Sequence, residues 1–372
     1  MPSSEHAKKT IGVVTWDFPP GAKGGLGRAM EEIKRALEMG GYRVEVLTPG
    51  TRTCPWVLRT IGALSPIIFS LFLSVTLQRW IDRHRIDVLL MPSGPGGLMI
   101  YKRPRNCVLY VVCYHTYAQQ ASAVPGQNWK RLFIVPERST LLMADAVLCY
   151  SPDTRRVLFE RYTIPADRIH LLPQIVTLDQ WIARAPVQKQ EHHCSCVARL
   201  EARKGVDVLL RAWTAVLKEI PTATLSIVGD GIQRLWIDRM IRRCTPSVVR
   251  VPSLPQEKII ELVHRSTLMI CPSYLEGFGL AAVEAMAAGT AVVASDCDGL
   301  RSLIDRGETG WLVPPGDPRA LAEAIVTMVR KHSLRAECAK RAFQAVHVRF
   351  EKMHAIEALH ECVQSVSSIE NV

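Results

Sequence analysis

The chain has 372 residues, 48% of them hydrophobic and 22% charged, and a formal net charge of +11. These values exclude a disordered tail, a collagen-like fibre and a disulfide miniprotein, and the length suits about two domains with cores of their own. The eleven cysteines contain no CxxC pair and read as reduced, mostly buried thiols, while the opening MPSSEHAKK lacks the apolar core of a signal peptide. The expected location is therefore the cytoplasm.

The basic excess is one-sided. Residues 1–190 hold 24 Lys and Arg against 14 Asp and Glu, whereas residues 191–372 hold 22 against 21. A field of that sign recruits nucleic acid, anionic headgroups or phosphorylated substrates, or simply keeps the surface soluble. No DNA- or RNA-binding motif accompanies it, which disfavours nucleic acid as a partner.

In chain order, the apolar run TIGVVTW (10–16) meets the glycine-rich turn DFPPGAKGGLG (17–27). A helical stretch follows from about Arg28 to Met39, closed by Gly40 and Gly41, and then a second strand, YRVEVLT (42–48). Strand, loop, helix and strand in that order form a βαβ unit and imply a parallel sheet. Further strands are expected at 86–91, 107–116, 146–150 and 168–173.

The polar stretch 179–193 reads as a linker between a first domain, 1–178, and a second, 194–349. Strands are expected in the second at 194–200, 224–229, 268–273 and 290–295. From about residue 317 the pattern is helical, with a terminal helix in 350–372 that could return to the first domain. The fold class is α/β, two doubly wound Rossmann-like domains facing a cleft, with the ligand at the carboxyl ends of the strands.

Residues 60–77, TIGALSPIIFSLFLSVTL, carry no charge. Three readings stay open: a buried or partly buried helix, a helix docked on a bilayer surface, or a membrane span. The last is disfavoured by Pro66, by the bare 18-residue length and by the helix it would take from the domain.

The chemistry concentrates in SYLEGFGLAAVEAMAAGTAVVAS (273–295). With Glu276 in a loop and Glu284 on the next helix, their eight-residue offset spans on the order of 12 Å, about the reach from a nucleotide ribose to its sugar. Gly277 and Gly279 allow close approach of a ligand to the backbone, and the helix N-terminus favours a phosphate. An ordinary strand, loop and helix with surface glutamates has the same spacing. The compact HHCSC run at 192–196 has cysteines alternating on an expected strand and no second ligand pair, so no metal site is expected. The first strand lacks GxGxxG, which argues against a nicotinamide enzyme.

VARLEARKG (197–205), IVGDG (227–231), the 272–295 block and TGWLVPPGD (309–317) occur in an order that resembles the donor-binding domain of glycosyltransferase family 4, which has the GT-B fold. WDFPPGAKGGLG (16–27) and a histidine at a strand end, His115, carry a weaker resemblance in the first half, while residues 51–105 are individual.

The resemblance implies a retaining, metal-independent enzyme that moves a hexose from a UDP- or GDP-sugar, with no cofactor, to a carbohydrate or lipid-linked acceptor. Arg199 and Lys204 would hold the donor diphosphate. Glu276 would contact sugar hydroxyls, and Glu284 the ribose. Gly277, Phe278, Gly279 and Leu280 would offer backbone amides. Gly24 and Gly25 would lie near the diphosphate, His115 near the donor sugar, and Asp17 by the acceptor. The family commonly has proline near Leu280 and at Thr290, departures expected to touch the backbone more than the chemistry. The basic first half and the 60–77 segment suggest peripheral contact with an anionic membrane; a non-catalytic sugar-nucleotide binder or a membrane scaffold is the alternative.

Overall fold

A computed structural model of the chain describes residues 9–19, 25–49, 65–182, 187–242, 247–350 and 352–367. They fall into two compact units, one from Met1–Ser122, Gly126–Val176 and Lys352–Val372, the other from Ala123–Pro125 and Thr177–Glu351.

The first unit is built on a six-stranded parallel sheet: β1 (Thr10–Val14), β2 (Arg43–Leu47), β3 (Val88–Ser93), β4 (Val108–Cys113), β5 (Ala146–Cys149) and β6 (Ile169–Leu171). Their order is β2-β1-β3-β4-β5-β6. Every residue of β1, β3, β4 and β5 is buried, as expected for parallel strands covered on both faces.

Helix α1 (Gly25–Met39) buries Ala29, Met30, Ile33, Ala36 and Leu37, an i, i+3, i+4, i+7 stripe. It stops where the Tyr42 amide reaches back to the Leu37 carbonyl. The uncharged segment becomes α2 (Ser65–His84), which sinks Phe69, Leu73, Leu77, Trp80 and Ile81 into the core; residues 60–64 lie outside the described residues. Ser70, Ser74 and Thr76 each donate to the carbonyl one turn back, so the hydroxyls cost the apolar helix little. The helix is partly buried and leaves Leu71 and Val75 exposed. No helix among the described residues is long and apolar enough to cross a membrane.

After β4 come α3 (Tyr117–Ala123), a 3₁₀ turn at Asn128–Phe133, α4 (Ile134–Met143) and α5 (Pro152–Glu160). Residues of α4 enter the same core cluster as α2, so the two helices cover one face of the sheet.

The second sheet has the order β12-β11-β10-β7-β8-β9 and is again wholly parallel. Its strands are β7 (His193–Val197), β8 (Thr224–Val228), β9 (Val248–Val251), β10 (Leu268–Cys271), β11 (Ala291–Ser295) and β12 (Trp311–Val313). The short strands β9 and β12 escape the sequence reading because neither is a long apolar run: β9 carries an exposed Val249 and an arginine, and β12 has three residues.

Helices α6 (Val206–Glu219), α7 (Arg234–Ile241), α8 (Gln256–Arg265), α9 (Leu280–Ala287), α10 (Asp298–Arg301), α11 (Pro318–Arg330) and α12 (His332–Arg349) complete the unit. Trp213 of α6 and Ile325 and Met328 of α11 are fully buried together in its core. The segment read as a linker is, where described, part of this unit. Trp181 is buried, the Gln190 amide donates to the Arg265 carbonyl, and Lys189 Nζ donates to Thr290 Oγ1 at 2.6 Å. Thr290 in turn donates to the Val263 carbonyl at 2.7 Å, a hydroxyl role that proline could not fill.

The last helix, α13 (Lys352–Ser367), packs in the first unit. His360 Nε2 lies 2.9 Å from the Ala36 carbonyl oxygen, and the Tyr110 hydroxyl donates to the Cys362 carbonyl at 2.8 Å.

Candidate functional site

In a doubly wound sheet the chain winds outward in both directions from one point, and the loops leaving the two central strands diverge there to open a crevice. In the second unit that point lies between β7 and β10. The loops leaving these two strands carry Arg199 to Lys204 and Ser273 to Gly279.

The first loop closes as a 3₁₀ turn, Ala202–Lys204, and Gly205 then caps α6 with φ +61. A Cβ at Gly205 would sit 2.0 Å from the Pro272 carbonyl oxygen, so only glycine lets the two loops approach this closely. The amides of Tyr274 and Leu275 both donate to the Arg203 carbonyl, at 2.8 and 3.4 Å, and lock the loops together.

This places Lys204 Nζ on Glu276 Oε2 as an ion pair. Ser273 Oγ donates to the same carboxylate oxygen at 3.4 Å, and Arg203 approaches Oε1 at 3.8 Å. Arg203 is a cation the sequence reading passed over. Its signal was adjacency to Lys204 in the ARKG run. Arg199, expected to act with Lys204, is paired with Glu201 at 3.1 Å.

Gly277, Phe278 and Gly279 are buried, and the Phe278 ring meets Phe350 edge-on at 5.4 Å. The Glu276 carbonyl accepts from the Gly299 amide at 2.9 Å, which ties the loop to α10. Gly279 is the N-cap of α9, Leu280 its first residue, and Glu284 a buried residue one turn on. The first turn of α9 contains no acidic residue or side-chain cap, and helix geometry gives its leading amides no intrahelical acceptor. The N-terminus of α6 enters the same loop system. Cys271, at the end of β10, lies within electrostatic reach of Glu276, Lys204 and Glu284, and burial pushes its thiol pKa up. The edge thus combines two cations, two carboxylates and two helix N-termini, a set suited to a polyhydroxylated ligand with a diphosphate.

In the first unit the corresponding switch lies between β1 and β3. Asp17 is buried just beyond β1, where the Thr15 hydroxyl donates to its carbonyl at 3.1 Å, and Trp16 donates to the Gly96 carbonyl beyond β3. Gly25 opens α1, and Gly24 lies outside the described residues. His115, 8% exposed, follows β4 along the same carboxyl edge.

The turn after His115 is held by a residue that the sequence did not single out. Glu137 of α4 is fully buried and accepts from the Tyr117 amide at 3.0 and 3.2 Å and from the Tyr162 hydroxyl. Burial pushes its carboxyl up to about 8 from the ordinary 4.5. The folded state therefore binds a proton that the unfolded chain releases. Its stabilisation is complete below about pH 4.5 and is lost as pH rises to about 8. Glu137→Gln is neutral throughout, so the stability difference between wild type and variant should vary with pH across that window. Denaturant unfolding at several pH values checks this, and a pH-independent difference would contradict it.

Cys194 and Cys196 are buried in the core, and the His193 ring lies 2.8 Å from Thr224 Oγ1. No group of three or more His, Cys, Asp or Glu that could hold a metal occurs among the described residues.

The family described as Glycosyltransferase Family 4 matches residues 23–180, and Glycosyl transferases group 1 matches residues 179–345. A D-inositol 3-phosphate glycosyltransferase of Acidothermus cellulolyticus is 30% identical over 91% of this chain and 85% of its own. The chain belongs to the family 4 glycosyltransferases.

A second D-inositol 3-phosphate glycosyltransferase, from Nocardia farcinica, is 29% identical over 57% of this chain and 52% of its own length. Among solved structures, sucrose-phosphate synthase from Thermosynechococcus elongatus superposes with a TM-score of 0.82 at 20% identity, covering 97% of this chain and all of the other. Anabaena Alr3699/HepE, solved with UDP-glucose, gives 0.71 at 18% identity over 96% of this chain and 99% of the other. The fold is that of the GT-B glycosyltransferases, and the protein is a glycosyltransferase of that type.

Proposed function

We propose that this glycosyltransferase moves a hexose from a UDP- or GDP-sugar to an acceptor hydroxyl with retention at the anomeric carbon, acting in the cytoplasm on a lipid-linked glycan or glycolipid at the membrane face. The observation that carries the reading is the Lys204–Glu276 pair at the β7/β10 switch, beside the N-termini of α6 and α9. The solved neighbour with UDP-glucose supports the choice of donor.

In this mechanism Lys204, Arg199 and the helix-end amides stabilise the departing nucleoside diphosphate as its charge develops. Glu276 orients sugar hydroxyls and, through its ion pair, holds the Lys204 ammonium in place for the diphosphate. Glu284 accepts from the ribose. The amides around Gly277, Phe278, Gly279 and Leu280 approach sugar and phosphate. A phosphate oxygen of the donor takes the proton of the acceptor hydroxyl, so the protein need supply no separate base. In the first unit, Gly24 and Gly25 belong to the phosphate loop, His115 serves the donor sugar, and Asp17 receives the acceptor.

The test is release of diphosphate from UDP-, GDP- and ADP-sugars, with the anomer of the freed sugar followed by proton NMR. Slow release from one nucleotide class, with the α-anomer of an α-donor appearing first, is expected. First appearance of the β-anomer would overturn retention, and inertness towards every donor would overturn the choice of nucleotide sugar.

A further inference from the structure

The 3₁₀ turn Asn128–Phe133 has no buried residue. Side chains three apart eclipse in such a turn, so Trp129 and Leu132 lie in one row, and Val135 in the first turn of α4 extends it. They are 55%, 78% and 76% exposed. Scattered single apolar residues on a surface need no explanation, but three in one row form a patch.

Its charge is of one sign. Lys130 and Arg131 come between Trp129 and Leu132 in the same turn, flanking the row, Lys130 Nζ stands 5.6 Å from the Trp129 ring centre, and residues 123–136 contain no Asp or Glu. The patch also borders the turn that carries His115. Tyr117, two residues beyond His115, stacks on Phe133 at 5.1 Å, and Trp129 meets the same ring edge-on at 5.8 Å.

We propose that this row docks on an anionic bilayer, with Trp129, Leu132 and Val135 entering the headgroup boundary and Lys130 and Arg131 pairing with lipid phosphates. Aromatic and aliphatic side chains interleaved with cations suit that boundary, which rewards apolar insertion and positive charge together. A protein partner fits less well, because three side chains fall far short of the roughly 800 Å² per partner that a stable interface buries. The row is separate from the 60–77 segment, whose helix places Phe69, Leu73 and Leu77 in the core and leaves Leu71 and Val75 exposed. A bilayer seated on the row would present headgroup hydroxyls beside the turn that carries His115. This deepens the proposed membrane-face acceptor, but its test needs no donor, so its failure would leave the transferase reading intact.

Flotation of the full chain with phosphatidylcholine vesicles, with and without phosphatidylglycerol, decides it. Wild type is expected to float with the anionic vesicles at low salt and to be released at high salt. Lys130→Ala/Arg131→Ala should bind about 30-fold more weakly, and Leu132→Glu/Val135→Glu should stay at the bottom of the gradient. Unchanged thermal unfolding would show that both double variants are folded. Failure of wild type to float, or flotation of both variants as strongly as wild type, would overturn the proposal. Self-association that requires Leu132 without any vesicle binding would also overturn it and assign the row to a second copy of the chain.

Discussion

Replacing Lys204 by alanine is expected to slow diphosphate release from the preferred sugar nucleotide by about 10²- to 10³-fold, the usual loss when one preorganised electrostatic donor is removed. The ammonium is fixed before any ligand arrives. The 3₁₀ turn aims it, and Glu276 holds it as an ion pair with both side chains largely shielded. Much of the ordering cost of binding a diphosphate there is already met by the fold. The loss should fall mainly on kcat, because the charge it neutralises grows as the glycosidic bond breaks. Lys204→Arg should not restore the rate, since a planar guanidinium fork cannot occupy the same point as a compact ammonium. The fold should survive, because Arg203 still faces Glu276 at 3.8 Å. Steady-state kinetics with thermal unfolding as the control checks this. A variant with unaltered kcat would remove Lys204 from the chemistry.

The second large effect is on stability. Gly205→Ala forces a Cβ to within 2.0 Å of the Pro272 carbonyl oxygen at a left-handed φ of +61. The conformation and the overlap together should cost about 3 kcal/mol or more, lowering the unfolding temperature of the second unit by roughly 6–12 °C. Gly289→Ala is the control. It has a similar φ of +65 but nothing within 4 Å of the added carbon, so it should cost only about 1 kcal/mol. Equal losses for the two would mean that backbone conformation alone matters. A much larger loss at Gly205 would show that the β7 and β10 loops need this close approach to form the site.

Much of this architecture is legible in the sequence, because parallel strands buried on both faces appear as unbroken apolar runs. TIGVV, VLYVVC and AVVAS announce β1, β4 and β11 in this way. Where a strand is short or lies at a sheet edge the signal fades, and β9 and β12 leave too few apolar residues to be read. Glu276 and Glu284 were visible because one loop and one helix carry both. Glu137 was not, because its burial depends on Tyr117 and Tyr162, 20 and 25 residues away, and PERSTLL reads like any helix start. Arg203 was hidden for a related reason. Sequence order ranks Arg199 and Lys204 alike, but the turn geometry gives Glu276 to Lys204, seats Arg203 between Glu201 at 3.2 Å and Glu276 at 3.8 Å, and leaves Arg199 with Glu201.

In the proposed mechanism the β7/β10 edge holds a nucleotide sugar through Lys204 and Glu284. Calorimetric titration of UDP-glucose and of GDP-mannose into wild type, Lys204→Ala and Glu284→Ala tests it most directly. Binding of one of the two donors by wild type, weakened about tenfold or more in each variant as expected for loss of a hydrogen-bonded charge, is the predicted result. Equal affinity in all three proteins would place the donor elsewhere and contradict the account.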